Sequence, residues 1–176
     1  ARTTSQLDLG YSDKELLEGR RHKEQTTTKQ ILDDTSTALK WLKKQYSLSK
    51  VTAMGFCFGG HAALIASTLS DIDSTYDFYG AGVTEGRPGG GPPTLKLLNK
   101  VSGKLTCICG TADTLIPLSE RIAIKSALNQ EDPQENRLRY VEIEGAKHGF
   151  MCEERSSFSS NASSLSWHLL MNDFDL

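Results

Sequence analysis

The chain has 176 residues, the size of one ordinary domain, with 20 lysine and arginine residues against 22 aspartate and glutamate residues. The formal net charge of −2 argues against nucleic acid and anionic membrane surfaces as partners. Because no stretch approaches the roughly 20 apolar residues of a membrane-spanning helix, and the N-terminus has no signal-peptide core, we expect a soluble, cytoplasmic protein.

The first predicted elements are helical. Ser12 to Glu15 has the form of a capping box, and apolar residues recur near helical spacing after it, up to Tyr46. This pattern predicts either one long helix or two shorter ones. The apolar run that begins at Val51 stops at a glycine and is followed by a helix-favouring run, which predicts a strand, a turn and a helix.

Three further strands are predicted, at residues 74–80, 104–110 and 138–145. A helix is predicted between the last two, at 117–130, and another closes the chain at 161–174. Strands separated by helices imply parallel pairing. The sequence therefore predicts one α/β domain over residues 1–176, with a mostly parallel sheet that carries helices on both faces.

The segment at residues 80–100, between the second and third strands, is too rich in glycine and proline for us to expect regular structure. Its run of glycines resembles a phosphate-binding loop, but no Gly-Lys-Ser or Gly-Lys-Thr follows it and no helix clearly opens on it. We therefore expect an irregular excursion, or a lid over the carboxyl ends of the strands.

The stretch Gly55-Phe56-Cys57-Phe58-Gly59 has the spacing of the nucleophile elbow G-x-S-x-G, with cysteine in place of serine. In such an elbow the nucleophile lies on a strained turn, and the glycines two residues away on each side avoid collisions. The N-terminus of the next helix favours a thiolate. We interpret Cys57 as a nucleophile, the alternative being an inert core cysteine.

Two further residues follow Cys57 in the order found in α/β-hydrolases, an acid and then a histidine. Asp113 comes just after the third predicted strand and His148 just after the fourth, so both are predicted at the edge where parallel strands end. In this triad His148 moves the proton, Asp113 orients the imidazole, and the backbone N–H of Phe58 is one oxyanion donor.

The remaining cysteines and histidines have plainer interpretations. Cys107 and Cys109 lie on one face of a strand and are predicted to pack in the core. A metal site with His148 and Cys152 lacks the spacings of zinc sites, so we expect no metal and no cofactor, and free thiols. His61 is predicted to be a packing or surface residue.

The segments that carry these residues together resemble the dienelactone hydrolase family, whose members are α/β-hydrolases with a cysteine nucleophile. The segments are GFCFGGHAA, FYGAG, RPGGGPPT, GTADTLIP and AKHGF. The resemblance implies hydrolysis of an enol lactone such as dienelactone (carboxymethylenebutenolide) through an acyl-thiol intermediate, with a small-molecule ester or lactone as the substrate. The alternatives are a broad carboxylesterase or thioesterase, and a non-catalytic relative or incomplete chain.

The chain departs from the family at its start. Family members begin with further strands and with a loop that supplies the second oxyanion N–H, and neither precedes the first residues here. The resemblance therefore implies that this chain corresponds to the C-terminal portion of the family fold. We expect its sheet to expose an edge and an apolar face. The oligomeric state is left open.

The second departure concerns substrate binding. The family places an arginine shortly after the histidine, but Cys152 stands four residues beyond His148 and Arg155 is the nearby substitute. The other substrate arginine corresponds to Arg20 or Arg21, which are otherwise solvated surface charges. The candidate substrate-binding residues are Arg20, Arg21, Tyr79 and Arg155.

Overall fold

The computed structural model describes residues 8–173. Within this range lie five α-helices: α1 (Asp13–Glu24), α2 (Thr28–Gln45), α3 (Phe58–Ala66), α4 (Leu118–Glu131) and α5 (Ser160–Asp173). The same range holds four strands: β1 (Thr52–Phe56), β2 (Ser74–Phe78), β3 (Lys104–Gly110) and β4 (Leu138–Ile143). All four predicted strands therefore form where they are expected.

The four strands make one fully parallel sheet in the order β1-β2-β3-β4. The register aligns Phe56 with Phe78, Phe78 with Ile108, and Ile108 with Val141. Because all the strands point the same way, their carboxyl ends meet at one edge of the sheet, and the loops after β1, β3 and β4 leave from that edge. The α/β prediction is confirmed.

Helices cover both faces of the sheet. On one face α3 packs so closely on β2 that a Cβ atom on Gly60 would overlap the Asp77 carboxylate. On the other face α5 ends against β2, where Asp173 accepts a hydrogen bond of 2.7 Å from the Tyr76 hydroxyl. Neighbouring residues of a strand point to opposite faces, so the contacts of Tyr76 and Asp77 place α5 and α3 on opposite sides.

The N-terminal helical region is two helices, which was one of the two predicted alternatives. Helix α1 ends at Glu24, and Thr27 caps α2 through a capping box with Gln30. Helix α2 lies on α3, where Leu39 and Ala66 form a small apolar cluster with Ile72. By contrast α1 contains no buried residue.

The glycine-rich segment differs from the prediction in its second half. Residues Thr94–Lys100 form a 3₁₀ helix, because the sequence after Pro93 is free of glycine and its Leu97 and Leu98 are buried. The first half is irregular, as predicted, and is tied to α2, since Thr28 donates to the Pro88 carbonyl from its backbone N–H (2.7 Å) and its hydroxyl (2.9 Å). The segment is an excursion beside α2 and α3.

The outer edge of β1 pairs with no other strand in the described part of the chain. Met54 and Phe56 lie on its face at 44% and 38% exposure, as expected for a sheet with an open side. Among residues 8–173, no helix combines the length and the apolar character needed to cross a bilayer.

Candidate active site

The turn between β1 and α3 consists of Cys57 alone. Its backbone has φ 55° and ψ −122°, in a region that side-chain-bearing residues rarely occupy. The turn is held on both sides, because the Cys57 N–H donates to the Phe78 carbonyl (3.0 Å) and the Cys57 carbonyl accepts from Gly60 (2.9 Å) and His61 (3.2 Å). The sequence therefore places its thiol on a strained elbow at the N-terminus of α3.

The glycines around the elbow have different roles from those predicted. A Cβ atom on Gly55 would overlap the carbonyl oxygen of Gly59, so glycine is required at Gly55 as expected. The prediction is wrong for Gly59, where an added Cβ would meet nothing within 4 Å. The second constrained position is Gly60, because a Cβ there would overlap the Asp77 carboxylate and crowd the Phe78 carbonyl.

The three predicted triad residues lie in one hydrogen-bonded row. The His148 ring contacts the Cys57 sulfur through Nε2 at 3.1 Å and the Asp113 carboxylate through Nδ1 at 2.8 Å. The second Asp113 oxygen accepts a hydrogen bond from the Leu115 N–H at 2.8 Å. The Asp113 side chain is fully buried and that of His148 is 9% exposed, so the carboxylate is held out of water against the imidazole.

The electrostatics of the row favour transfer of the thiol proton to the imidazole. Burial raises the pKa of Cys57, but His148 outweighs it through its hydrogen bond and charge, and with the Phe58 N–H it brings the pKa below the ordinary value. Burial lowers the pKa of His148, but the hydrogen bonds with Asp113 and Cys57 outweigh that effect and raise it to about 9. Both shifts favour the charged forms, the thiolate of Cys57 and the imidazolium of His148.

The other thiols have different surroundings. Cys57, Cys107, Cys109 and Cys152 are all free. Burial raises the pKa of Cys107 and of Cys109, which lie in the core at β3. Within residues 8–173 no three histidine, cysteine, aspartate or glutamate side chains are grouped as metal ligands.

Tyr79 lies beneath the triad and not in the wall of the cavity at Cys57. It is 2% exposed, its ring meets the His148 ring edge to face with centroids 5.1 Å apart, and it packs in the same way on Phe150. Its backbone φ of 45° turns the chain sharply after β2. The prediction that Tyr79 lines the pocket is therefore replaced by a packing contact with the His148 imidazole, because burial removes the Tyr79 ring from the cavity.

A cavity of about 700 Å³ opens at Cys57, between α1 and the segment at 154–157. Arg20 and Arg155 both line it, as predicted for substrate-binding arginines. Arg21 does not line it and pairs with Glu18 at the surface, because neighbouring residues on a helix point in different directions. The sequence left the choice between Arg20 and Arg21 open, and the structure places Arg20 at the cavity.

The two cavity arginines are not neutralised by any side chain in the described part of the chain. Within residues 8–173 neither Arg20 nor Arg155 forms an ion pair. Arg155 stacks over the Tyr11 ring at 5.1 Å, and the Tyr11 hydroxyl lies 3.0 Å from the Cys152 sulfur. Their positive charge is therefore available to an anionic group in the cavity.

Sequence reasoning missed two residues of the cavity. The Lys23 ammonium lies 5.8 Å from the centre of the ring of Phe58, the residue directly after Cys57, and Tyr11 stacks under Arg155. The position of Lys23 could have been predicted from its spacing. It lies three residues beyond Arg20 on one helix, and residues three apart share a helix face. No pattern in the sequence pointed to Tyr11, because its partner Arg155 lies near the other end of the chain.

We expect Cys57 to be alkylated by iodoacetamide with an apparent pKa below that of a free thiol, about 8.5. A His148→Ala variant loses the hydrogen bond and the charge of His148, the two largest causes that lower the Cys57 pKa, while burial remains, so the alkylation midpoint should move upward. Rates measured between pH 5 and 10, with peptide mapping to separate Cys152, give both midpoints. Equal midpoints in the two proteins would show that His148 does not act on the thiol.

Comparison with known sequences places these residues in a family. The sequence profile of the dienelactone hydrolase family matches residues 11–175. A Synechocystis protein provisionally named carboxymethylenebutenolidase is 31% identical over 163 residues, which cover 92% of this chain and 65% of that protein. A Saccharolobus solfataricus protein with the same provisional name is 24% identical over 81% of this chain and 50% of its own length. The chain thus spans between half and two thirds of these curated relatives.

Solved structures share the fold. A protein of Klebsiella pneumoniae, provisionally named dienelactone hydrolase, superposes with a TM-score of 0.75 at 18% identity over 83% of this chain and 60% of its own. The dienelactone hydrolase-like promiscuous phosphotriesterase P91, from metagenomic libraries, gives a TM-score of 0.70 at 19% identity over 97% of this chain and 69% of its own. At these identities the likeness concerns the fold.

Proposed function

Because the chain belongs to the dienelactone hydrolase family, we propose that it hydrolyses carboxylic ester bonds with Cys57 as nucleophile, His148 as proton carrier and Asp113 as its orienting carboxylate. The observation that carries this proposal is the continuous row from the Cys57 sulfur through the His148 imidazole to the buried Asp113 carboxylate. The row begins at an open cavity, so a substrate carbonyl has access to the sulfur.

The proposed reaction has two halves. The Cys57 thiolate attacks the carbonyl carbon, the oxyanion forms beside the Phe58 N–H, and the ester bond breaks as His148 gives its proton to the leaving oxygen. This leaves an acyl-thiol and a neutral imidazole. His148 then takes a proton from water, the resulting hydroxide attacks the acyl-thiol, and the thiolate leaves while the acid is released.

The charge of the cavity favours a substrate that carries a carboxylate. Arg20 and Arg155 both line it without ion-pair partners among the described residues, and guanidinium groups bind carboxylates strongly. This supports hydrolysis of an enol lactone of the dienelactone type, the activity named for the curated relatives. With the His148 proton on the leaving oxygen, ring opening of such a lactone releases an enol that tautomerises to a ketone, and the acyl-thiol is then hydrolysed to a keto acid.

A broad carboxylesterase or thioesterase activity is the second candidate. The observation in its favour is the cavity volume of about 700 Å³, in the range of pockets that hold drug-sized ligands. Such a space accepts acyl groups larger than a small lactone. The two candidates share the nucleophile and differ only in the substrate.

We expect the purified protein to release 4-nitrophenolate from 4-nitrophenyl acetate in a burst, followed by slower turnover as the acyl-thiol is hydrolysed. Acid quenching within the burst, followed by peptide mass spectrometry, should place the acetyl group on Cys57. A panel of a carboxylated enol lactone, an uncharged enol lactone and an acyl thioester then ranks the substrates by kcat/KM. Absence of turnover on the whole panel, or an acetyl group on another residue, would overturn the proposal and leave a non-catalytic relative.

A further inference from the structure

A second cavity, of about 370 Å³, lies beside the first. It is bounded by the end of α1 and by the irregular segment at residues 81–89. The two cavities share Lys23 and Phe58, and Cys57 lines only the first. The Lys23 and Phe58 side chains, which contact each other, thus separate the two cavities.

The wall of this second cavity is anchored, although it is an irregular segment. The His61 ring reaches the Ala81 carbonyl through Nδ1 (3.1 Å) and the Thr94 hydroxyl through Nε2 (2.7 Å). Further along, the Pro88 carbonyl accepts the two hydrogen bonds from Thr28. Because the segment is held at both ends, the cavity is a preformed space.

Arg87 gives the second cavity its charge. It is half-buried, its Nε atom is shielded from solvent without a hydrogen-bond partner, and it forms no ion pair with any residue between 8 and 173. Glu24 and Glu85 also border the cavity, but both are exposed at its rim. An arginine that lines a cavity without an ion-pair partner keeps its positive charge, so an oxygen-bearing anion that entered the cavity would pair with its guanidinium group.

The geometry of the reaction decides which part of a substrate reaches this cavity. The leaving oxygen must stay within reach of the His148 imidazole. This is the side of Arg155, because a Cβ atom added to Gly149, directly after His148, would lie 3.1 Å from the Arg155 side chain. The carbonyl oxygen takes the place beside the Phe58 N–H. The remaining substituent of the carbonyl carbon is the acyl chain, and the direction left to it is past Phe58, which lines both cavities.

We propose that this second cavity is an acyl-chain subsite, in which Arg87 binds a carboxylate at the far end of the acyl group. The proposal rests on the proposed esterase function and adds its substrate class, namely monoesters of dicarboxylic acids. Lys23 lies at the entrance, where its ammonium attracts the same carboxylate as the chain passes.

The test compares esters of equal chain length with and without the terminal carboxylate. The probes are mono-4-nitrophenyl adipate and 4-nitrophenyl hexanoate, with the eight-carbon pair suberate and octanoate to find the length that reaches Arg87. In an Arg87→Gln variant the ratio of kcat/KM for the dicarboxylate ester over its matched ester should fall by about 10-fold or more. An Arg21→Gln variant, which removes an arginine that lines neither cavity, should keep the wild-type ratio.

Three outcomes would overturn the proposal. An equal loss on both esters of a pair would mean that Arg87 acts only through the stability of its segment, which a thermal melt of the variant checks. A ratio that is unchanged in Arg87→Gln shows that the carboxylate binds elsewhere. A ratio that falls in Arg20→Gln and not in Arg87→Gln places that carboxylate in the first cavity.

A failure of the subsite is distinguishable from a failure of the proposed function. If no ester is turned over, binding of adipate to the Cys57→Ala protein, measured by titration calorimetry, still reports on the subsite. We expect adipate to bind more tightly than hexanoate, and the dissociation constant for adipate to rise about 10-fold when Arg87→Gln is added. Equal affinity with and without Arg87 would overturn the subsite whatever the fate of the esterase activity.

Discussion

Replacement of Cys57 by alanine is expected to lower kcat/KM for 4-nitrophenyl acetate by at least about 1,000-fold. The alanine removes the sulfur that contacts the His148 imidazole, and no acyl-thiol can form without it. The fold should persist, because alanine keeps the Cβ atom and the backbone of the elbow unchanged. The initial rates of wild-type and variant protein, with circular dichroism of both, measure the effect.

Cys152→Ala is the matched control for this experiment. Cys152 is the other partly exposed thiol, and its sulfur contacts the Tyr11 hydroxyl instead of an imidazole. We expect its removal to change kcat/KM by less than about threefold. If Cys57→Ala retains substantial activity, or if Cys152→Ala loses as much, the nucleophile has been assigned to the wrong residue.

A second large effect is expected at Gly55, where replacement by alanine should lower the free energy of unfolding by about 3 kcal/mol. The added methyl group would overlap the backbone carbonyl of Gly59, and a backbone atom cannot move aside as a flexible side chain can. The overlap forces β1 and α3 apart at the elbow, so activity should fall as well. Urea unfolding followed by circular dichroism gives the free energy.

Gly59→Ala is the comparison that isolates this cause. The same methyl group at Gly59 meets nothing within 4 Å, and alanine favours a helix more than glycine does. We expect the stability of this variant to lie within about 1 kcal/mol of wild type, or slightly above it. Similar losses at both positions would refute the close approach of Gly55 and the Gly59 carbonyl.

The elements that sequence could predict are those with local causes. Each strand is an apolar run that ends at or near a glycine, and parallel pairing places the ends of such runs at one edge. Hence Asp113 and His148, each just after a strand, were expected near Cys57. The start of α2 also had a local signal, because Thr27 and Gln30 have the spacing of a capping box.

The features that sequence could not predict depend on contacts between distant segments. Gly60 is constrained by Asp77 on the neighbouring strand, and Tyr79 is removed from the cavity by its packing on His148. One wall of the second cavity is fixed by the hydrogen bond from Thr28 to the Pro88 carbonyl, and 60 positions separate the two residues. The spacing of residues along the chain does not predict contacts between segments so far apart.

The left-handed backbone of Cys57 and Tyr79 has an evolutionary consequence. At such φ values a residue with a side chain gives up about 1 to 3 kcal/mol of stability that glycine would retain. Selection for a sturdier protein alone would therefore favour glycine at Cys57 and discard the sulfur, whereas at Tyr79 the buried ring, packed on His148 and Phe150, offsets the cost. Engineering for heat resistance should leave these two sites untouched and seek its gains in the helices far from the elbow.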